Sequence, residues 1–220
     1  MQFFNVFEID TGFIRVLKTL FGEDKNFNLI EGDAMKTWSS QRTQREQFLF
    51  GNLPYNVAAS LLADMIEKGQ HFTRMVVTVQ KEVALRMTAS AGSPDYSSFS
   101  VLCASAYKVK PLMTIRPSSF YPQPNVDSMG VLLEKRIQAL RPEIFYPLVR
   151  SLFASRRKTI KNNLAGFITS RSEKLLSGIS AQDLCIDLLA KNGLSGNERA
   201  ENLDLEIFLS LAKSIENMRI

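Results

Sequence analysis

A strand pattern, a proline-containing loop and a helix pattern follow one another directly between residues 47 and 67. The apolar run at 47–50 predicts a short buried strand, and the apolar residues of 57–67 recur at helical spacing. Between them lies the sequence Asn52-Leu53-Pro54-Tyr55. We therefore expect these four residues on the loop at the carboxyl end of a strand, which is where open α/β sheets bind their ligands.

These four residues can together hold the edge and the face of an adenine base. The side-chain oxygen of Asn52 and the carbonyl of Leu53 can both accept hydrogen bonds from one exocyclic amino group. Pro54 has a fixed φ and keeps Leu53 extended, so the Leu53 carbonyl has a set direction. Tyr55 offers a flat face for base stacking, a contact of about 1–3 kcal/mol. The motif predicts a clamp for a flipped-out adenine whose amine faces a methyl donor. The alternative is a proline turn that closes a strand, with Tyr55 in the core.

Two acidic residues follow strands that are predicted earlier in the chain. The strand pattern at 3–10 puts Glu8 near a strand end, where carboxylates of nucleotide-binding sheets accept hydrogen bonds from ribose hydroxyls. Asp33 follows the strand at 28–31 and can accept a hydrogen bond from an adenine amino group, while Gly32 and Ala34 leave room beside it. Each has an alternative, because carboxylates are common at strand ends and a Gly-Asp turn often caps the next element.

Further strands and helices extend the α/β pattern to about residue 138. The run at 75–79 predicts a strand that is buried on both faces. Helices are predicted over 81–91 and 99–106, and a closing strand pair over 107–115 and 129–133. The prolines between the strands of that pair predict a stiff loop. On this loop Phe120 is a candidate to stack on the second face of the base, with packing against the core as the alternative.

The last part of the chain is helical and basic. From residue 143 onward the apolar spacing predicts helices alone, including 181–191 and 205–218. Residues 111–175 hold 11 Lys and Arg against 4 Asp and Glu, a net charge of +7, whereas the whole chain carries +5. The stretch predicts sequence-independent contact with RNA phosphates, and a solvated helical face is the alternative. The four cations that fall within one or two turns are Arg156, Arg157, Lys158 and Lys161.

Composition excludes several other classes of protein. The chain has 220 residues, of which 45% are hydrophobic and 22% charged, the proportions of a globular protein. Cys103 and Cys185 are too few for a disulfide framework. His71 is the only histidine, which excludes histidine triads and His-rich zinc sites, and we expect no metal. No apolar run approaches the roughly 18 residues of a membrane span, and the start lacks the basic region of a signal peptide. We therefore expect a cytoplasmic protein.

Five blocks of sequence occur in the order found in one enzyme family. They are 50–56 (Phe-Gly-Asn-Leu-Pro-Tyr-Asn), 80–83 (Gln-Lys-Glu-Val), 117–128 (Pro-Ser-Ser-Phe at its start, Pro-Asn-Val-Asp-Ser at its end), 156–160 (Arg-Arg-Lys-Thr-Ile) and 199–203 (Arg-Ala-Glu-Asn-Leu). In these blocks, and from about Val6 to Asn202, the chain resembles the small-subunit ribosomal RNA adenine dimethyltransferases, the KsgA family. The resemblance is specific because independent blocks agree in order and spacing.

The resemblance implies a fold, a reaction and roles for individual residues. The fold is α/β, with a Rossmann-like class I methyltransferase sheet in residues 1–138 and a small all-α, rRNA-binding domain in 139–220. The reaction is S-adenosylmethionine-dependent N6,N6-dimethylation of two adjacent adenines near the 3′ end of 16S rRNA, in a precursor of the small subunit, and we expect a monomer. The implied cofactor-binding residues are Glu8 at the ribose and Asp33 at the adenine, with Ala34 and Asn52. The implied target-binding residues are Asn52, Leu53, Pro54 and Tyr55, with Tyr55 and Phe120 stacking on the base.

The chain departs from the family pattern at one point. The family has a strand with a glycine-rich loop, of the Glu-x-Gly-x-Gly type, before the strand that ends at Glu8, and none of the 11 glycines forms such a loop. We therefore expect exposed strand edges and a gap between the strands that end near Glu8 and Asn52. We also expect an N-terminally incomplete methyltransferase domain and weak or no cofactor binding.

Two alternative functions follow from this departure and from related families. One is a non-catalytic rRNA-binding factor for small-subunit assembly. The other is a large-subunit rRNA adenine methyltransferase that confers antibiotic resistance, and the blocks at 156–160 and 199–202 argue against it.

Overall fold

The structure is a computed structural model of the chain, and it describes residues 3–41, 47–136, 142–171 and 180–219. The first part of the chain alternates strands and helices. The strands are β1 (Phe4–Glu8), β2 (Phe27–Glu31), β3 (Phe48–Asn52), β4 (Arg74–Gln80), β5 (Tyr107–Ile115) and β6 (Ser128–Lys135). The helices of this part are α1 (Thr11–Phe21), α2 (Ala34–Thr37), α3 (Ala58–Glu67), α4 (Lys81–Thr88) and α5 (Ser98–Ala106).

The strands form two separate sheets. β1 and β2 pair in parallel, with Glu8 opposite Glu31. The other sheet has the order β3-β4-β6-β5, in which β3 and β4 are parallel and β6 is antiparallel to both of its neighbours. The predicted closing strand pair is therefore confirmed. The predicted gap is confirmed as well, because no ladder joins β1 to β3 in the described residues.

A hydrophobic cluster joins the two sheets on one side. Trp38, in a short 3-10 helix after α2, is buried together with Leu61 and Met65 of α3. Its indole N–H donates to Asp64 Oδ2 at 2.9 Å, so the buried nitrogen has a partner. The partly buried side chains packed against this Trp38 cluster are Phe7, Ala34, Met35, Leu49, Leu53 and Phe72. Because Phe7 belongs to β1 and Leu49 to β3, the cluster connects the two sheets.

The described helices cover only one face of the four-stranded sheet. Along β4, Met75 and Val77 are buried against α3, α4 and α5, whereas Val76 on the opposite face is partly exposed. Phe50, which is in register with Val76, is 79% exposed. The prediction that β4 is buried on both faces is therefore wrong. Its valine-rich sequence suits a strand between two layers of helices, but the described residues supply helices for one layer.

The rest of the described chain is helical and has its own core. The helices α6 (Phe145–Phe153), α7 (Ile160–Thr169), α8 (Ala181–Lys191) and α9 (Leu205–Glu216) enclose it. Tyr96 and Val101 from the α/β part are buried in the same core, so the two parts share a packed boundary. The prediction of helices alone is confirmed for residues 143–171 and 180–219. The predicted domain boundary at 138–139 lies outside the described residues.

Several element boundaries differ from the predicted ones. The helix predicted over 81–91 ends at Thr88, because Ala89 is extended and a turn follows. Asn52 is the last residue of β3 rather than part of the loop. The helix predicted over 205–218 ends at Glu216 and continues as a 3-10 turn. The segment 156–158 lies between α6 and α7, so the first three cations of the basic stretch precede the helix that carries Lys161.

Candidate active site

The predicted clamp lies at the junction of strand β3 and helix α3. Asn52 is opposite Thr78 of β4, and the Leu53 N–H donates to the Thr78 carbonyl at 3.0 Å, which extends the ladder by one residue. The Pro54 carbonyl accepts a hydrogen bond from the Ala58 N–H at 2.9 Å at the start of the helix. The side chain of Asn52 is exposed. Asn52 therefore presents its side-chain amide to solvent. The backbone before it is held by pairing with β4, and the backbone after it by the hydrogen bonds of Leu53 and Pro54.

Gly51 leaves room for the side chain of Leu53 at this junction. A Cβ atom at this position would lie 2.8 Å from Cδ2 of Leu53, a distance at which one of the two residues must move. Leu53 cannot move freely, because its side chain packs against the Trp38 cluster. The glycine thus leaves space for Leu53 to pack against the cluster, while the Leu53 carbonyl remains part of the predicted clamp.

Tyr55 is held by a residue from a distant part of the chain. Its phenol shares a hydrogen bond with the hydroxyl of Ser128, the first residue of β6. Ser128 is fully buried, whereas Tyr55 is partly exposed. Reasoning from the residues themselves missed Ser128, and the one signal for it was its place at the end of the Pro-Asn-Val-Asp-Ser block.

Glu8 and Asp33 each use one carboxylate oxygen to hold local backbone. Glu8 Oε1 accepts hydrogen bonds from the N–H groups of Ile9 and Asp10, both at 2.8 Å. Asp33 Oδ1 accepts from the Met35 N–H at 2.9 Å and caps α2. The second oxygens, Oε2 and Oδ2, take part in none of the described hydrogen bonds, so each can accept one from a ribose hydroxyl or an adenine amino group. For Asp33 a capping role and a ligand role are therefore compatible.

The Trp38 cluster brings the predicted cofactor residues to one edge of the protein. Phe7, Ala34 and Leu53 pack against this cluster from three different strand ends. Their neighbours in the chain are Glu8, Asp33 and Asn52. The acceptor groups expected for the ribose and adenine of S-adenosylmethionine thus lie around one packed core, at the carboxyl ends of β1, β2 and β3. The residues present fit that part of the cofactor.

Phe120 lies on the proline-containing loop between β5 and β6. Its N–H donates to the Pro117 carbonyl at 3.1 Å, and its side chain is partly exposed. The far end of the loop is tied to the start of α4, where the Lys81 N–H donates to the Asp127 carbonyl at 2.9 Å and the two side chains form an ion pair at 3.7 Å. Among the described aromatic residues no ring pair joins Phe120 to Tyr55, so stacking from two sides stays a prediction.

The four predicted RNA-binding cations differ in their surroundings. Arg156 forms an ion pair with Glu201, with 3.0 Å between Nη2 and Oε2. Arg157 and Lys158 are exposed, and neither pairs with an acidic side chain in the part of the chain that the structure describes. Lys161 is partly exposed in the first turn of α7. Arg157 and Lys158 are therefore the most accessible to an RNA phosphate.

Two observations apply to the described residues as a set. Across 3–41, 47–136, 142–171 and 180–219, every helix is too short or too polar to span a lipid bilayer. In the same ranges no three His, Cys, Asp or Glu side chains are grouped as they would be around a metal ion.

Relatives of the chain match it over nearly all of its length. Residues 3–210 match the family model for ribosomal RNA adenine dimethylase. The ribosomal RNA small subunit methyltransferase A of Treponema denticola is 44% identical over 220 residues, which cover 96% of this chain and 72% of that protein. The protein of the same name from Treponema pallidum is 39% identical over 97% of this chain and 74% of its own length.

Two solved structures share the fold. A dimethyladenosine transferase from Plasmodium falciparum aligns with a TM-score of 0.83 and 25% identity, over 98% of this chain and 82% of that one. The 23S rRNA methyltransferase ErmE aligns with a TM-score of 0.62 and 18% identity, over 96% and 81%, which is a likeness of fold. The predicted Rossmann-like methyltransferase fold with a helical C-terminal part is therefore confirmed. With the predicted clamp residues placed at the end of β3 and a family match over residues 3–210, the chain belongs to the ribosomal RNA adenine dimethylase family, whose enzymes use S-adenosylmethionine to dimethylate adenines of ribosomal RNA.

Proposed function

We propose that this protein dimethylates two adjacent adenines near the 3′ end of small-subunit rRNA, in a precursor of the small subunit. Relatives that are named small subunit methyltransferase A support the choice of subunit. The observation that carries the proposal is the position of Asn52 and Leu53 at the end of β3, packed together with the strand ends that bear Glu8 and Asp33. We further propose that the protein acts as a monomer, since one chain holds both the predicted clamp and the exposed cations, and that it acts in the cytoplasm on its proposed rRNA substrate.

The clamp acts on the electronic state of the target amine. An adenine amine is a weak nucleophile because its lone pair is delocalised into the ring. When the Asn52 side-chain oxygen and the Leu53 carbonyl accept its two hydrogens, a pyramidal nitrogen is favoured, with its lone pair directed at the methyl donor. Pro54 keeps the Leu53 carbonyl in its direction, and Tyr55 and Phe120 hold the ring by stacking. Positioning of this kind can contribute ~7–11 kcal/mol to lowering the barrier.

We assign the binding of S-adenosylmethionine to residues at the ends of β1 and β2. S-adenosylmethionine supplies the methyl group when it is bound. Glu8 would accept hydrogen bonds from its ribose through Oε2, and Asp33 from its adenine amino group through Oδ2. Ala34, next to Asp33, leaves room for the adenine ring. Asn52 serves both the cofactor and the target base.

The helical part of the chain would hold the rRNA through its phosphates. We assign the clamp and cofactor residues to a domain of residues 1–138 and rRNA contact to a domain of residues 139–220. Arg157 and Lys158 would make the main contacts, with Lys161 on α7 and the exposed but ion-paired Arg156 beside them. Such contacts carry no base specificity and weaken as salt rises.

The experiment that tests the clamp is methyl transfer to unmodified small subunits by the Asn52→Ala variant. We expect the rate to fall by about a hundredfold or more, while the affinity for the subunit stays that of the unaltered protein. The matched control is Asn28→Ala, which removes an exposed asparagine of β2 whose amide donates to Asn5 at 2.9 Å, away from the clamp. Turnover by Asn52→Ala at the rate of the control would contradict the clamp.

An rRNA-binding assembly factor without methyl transfer is the second candidate function. The unpaired edges of β1 and β3 in the described residues favour it, because no strand hydrogen-bonds the edge that bears Glu8 to the edge that bears Asn52. Small-subunit binding without any methyl transfer by the unaltered protein would support this function. The third candidate function, methylation of large-subunit rRNA, is tested with isolated large subunits, and we expect no transfer to them.

A further inference from the structure

The hydrogen bond between Tyr55 and Ser128 joins an exposed site residue to the buried sheet. Ser128 is 0% exposed, and its hydroxyl is a partner of the Tyr55 phenol. Buried hydroxyls in proteins nearly always have a partner, so the phenol also satisfies the serine. A contact of this kind restricts where the Tyr55 ring can lie, because the hydroxyl sits at the far end of the ring from its Cβ.

Strand register relates Ser128 to the clamp. Asn52, Thr78 and Gly130 are in register across β3, β4 and β6. Two rows further along β4 and β6, Gln80 is in register with Ser128. Residues two apart on a strand point to the same face of a sheet. The side chains of Asn52 and Ser128 therefore belong to one face, and Tyr55 is fixed to the same ladder that carries the asparagine.

The backbone around Ser128 is held firmly. On its N-terminal side the Asp127 carbonyl accepts a hydrogen bond from the Lys81 N–H at 2.9 Å, and the two side chains form an ion pair at 3.7 Å. On its other side β6 pairs with both β4 and β5, with Ser128 opposite Gln80 and Ile115. A hydroxyl on such a segment is a rigid reference point, which is what a site needs from the residues behind it.

We propose that Ser128 is a positioning residue for the target adenine. Its hydroxyl holds the Tyr55 phenol and so sets the plane of the ring on which the base stacks. This inference rests on the proposed function, in which Tyr55 stacks on the target and Asn52 and Leu53 accept the hydrogens of its amine.

The second methyl transfer depends more on the orientation of the Tyr55 ring than the first transfer does. An unmodified adenine amine has two hydrogens for the two acceptors of the clamp, whereas the monomethylated amine has one. Stacking on Tyr55 therefore carries a larger share of the positioning once the first methyl is in place. A loosened ring should let the enzyme release monomethylated adenine before the second transfer.

The test compares Ser128→Ala, Tyr55→Phe and the double variant in single-turnover methylation of unmodified small subunits. Both single changes remove one side of the same hydrogen bond, and Tyr55→Phe keeps the ring. We expect each to lower the rate by about threefold to tenfold and to raise the ratio of monomethyl to dimethyl adenine. The double variant should be no worse than either single variant, because the shared contact is already lost.

Controls separate this inference from loss of fold and from failure of the clamp. Ser119→Ala, on the exposed part of the same loop, should leave the rate and the product ratio unchanged. Thermal unfolding shows whether each variant is folded. If Ser128→Ala fails to fold, Tyr55→Phe alone tests the shared hydrogen bond. If the product ratio is unchanged in both single variants while Asn52→Ala is inactive, the role of Ser128 is overturned and the clamp stands. Full activity of Asn52→Ala would overturn the clamp and this inference together.

Discussion

Nη2 of Arg156 lies 3.0 Å from Oε2 of Glu201, and this contact links the basic segment after α6 to the segment before α9. The same nitrogen donates to the carbonyls of Pro94 and Tyr96, both at 3.4 Å. Arg156 thus holds three segments of the chain together. The neighbouring residue, Arg157, is exposed and is left to contact other molecules. Adjacent arginines in one motif therefore have different physical roles.

The Arg156→Gln and Arg157→Gln variants should separate these roles. Arg157→Gln removes a phosphate contact, so the slope of log affinity for rRNA against log salt should become shallower by about 1, with unchanged stability. Arg156→Gln should lower the free energy of unfolding by about 0.5–1 kcal/mol, since its ion pair is partly exposed, and should change the slope less. Affinity titrations at several salt concentrations and thermal unfolding measure both quantities. Equal loss of slope in the two variants would contradict the assignment.

Local patterns in the sequence were sufficient to predict most elements of the fold. The strand before Asn52 and the helix after it, and the strand pair around the proline loop, follow from apolar spacing and from proline, which act over a few residues. Glu8 and Asp33 were identified as candidates because acidic residues after strands are visible in the sequence itself. The gap between β1 and β3 was also predictable, because the sequence lacks the strand with a glycine-rich loop that the family pattern contains.

Contacts between distant segments and the covering of each sheet face were not predictable in this way. Ser128 follows Tyr55 by 73 residues and Glu201 follows Arg156 by 45, and nothing local indicates either pair. Val76 and Val77 are adjacent valines of β4, yet Val77 is buried and Val76 is partly exposed. Which face is buried depends on where the helices pack, and that is a property of the whole fold.

Two adjacent leucines of β6 test the one-sided covering of the sheet. Leu133 is fully buried against the helices, whereas Leu132 is on the opposite face and partly exposed. Leu133→Ala should lower the free energy of unfolding by about 2–5 kcal/mol, and Leu132→Ala by about 1 kcal/mol or less. Urea unfolding of both variants measures the difference. Equal losses would mean that the face with Leu132 is also covered in solution.

Tyr96 predicts a dependence of stability on alkaline pH. Its hydroxyl donates to the Leu203 carbonyl at 2.9 Å inside the helical core. Burial raises the pKa of Tyr96 from 10.0 to about 12, and the charge of Asp204 acts in the same direction. Because the folded-state pKa lies above the unfolded-state value, this stabilisation is complete below about pH 10 and is lost as the pH rises through about 12. Urea unfolding at a series of pH values should show a shallower alkaline decline in Tyr96→Phe than in the unaltered protein, and identical declines would contradict the prediction.

Cofactor affinity should depend on how the gap between β1 and β3 is filled. Glu8 and Asp33 offer acceptors for the ribose and adenine, but the described residues place no strand between β1 and β3 and no glycine-rich loop beside them. We expect calorimetric titration of these 220 residues with S-adenosylmethionine to show weak binding, so the methylation assays need a large excess of cofactor. Whatever binding the titration detects should weaken in Glu8→Gln, because an amide is a poorer acceptor for ribose hydroxyls than a carboxylate. Tight, stoichiometric binding by the 220 residues would mean that other residues complete the site and that the gap does not limit it.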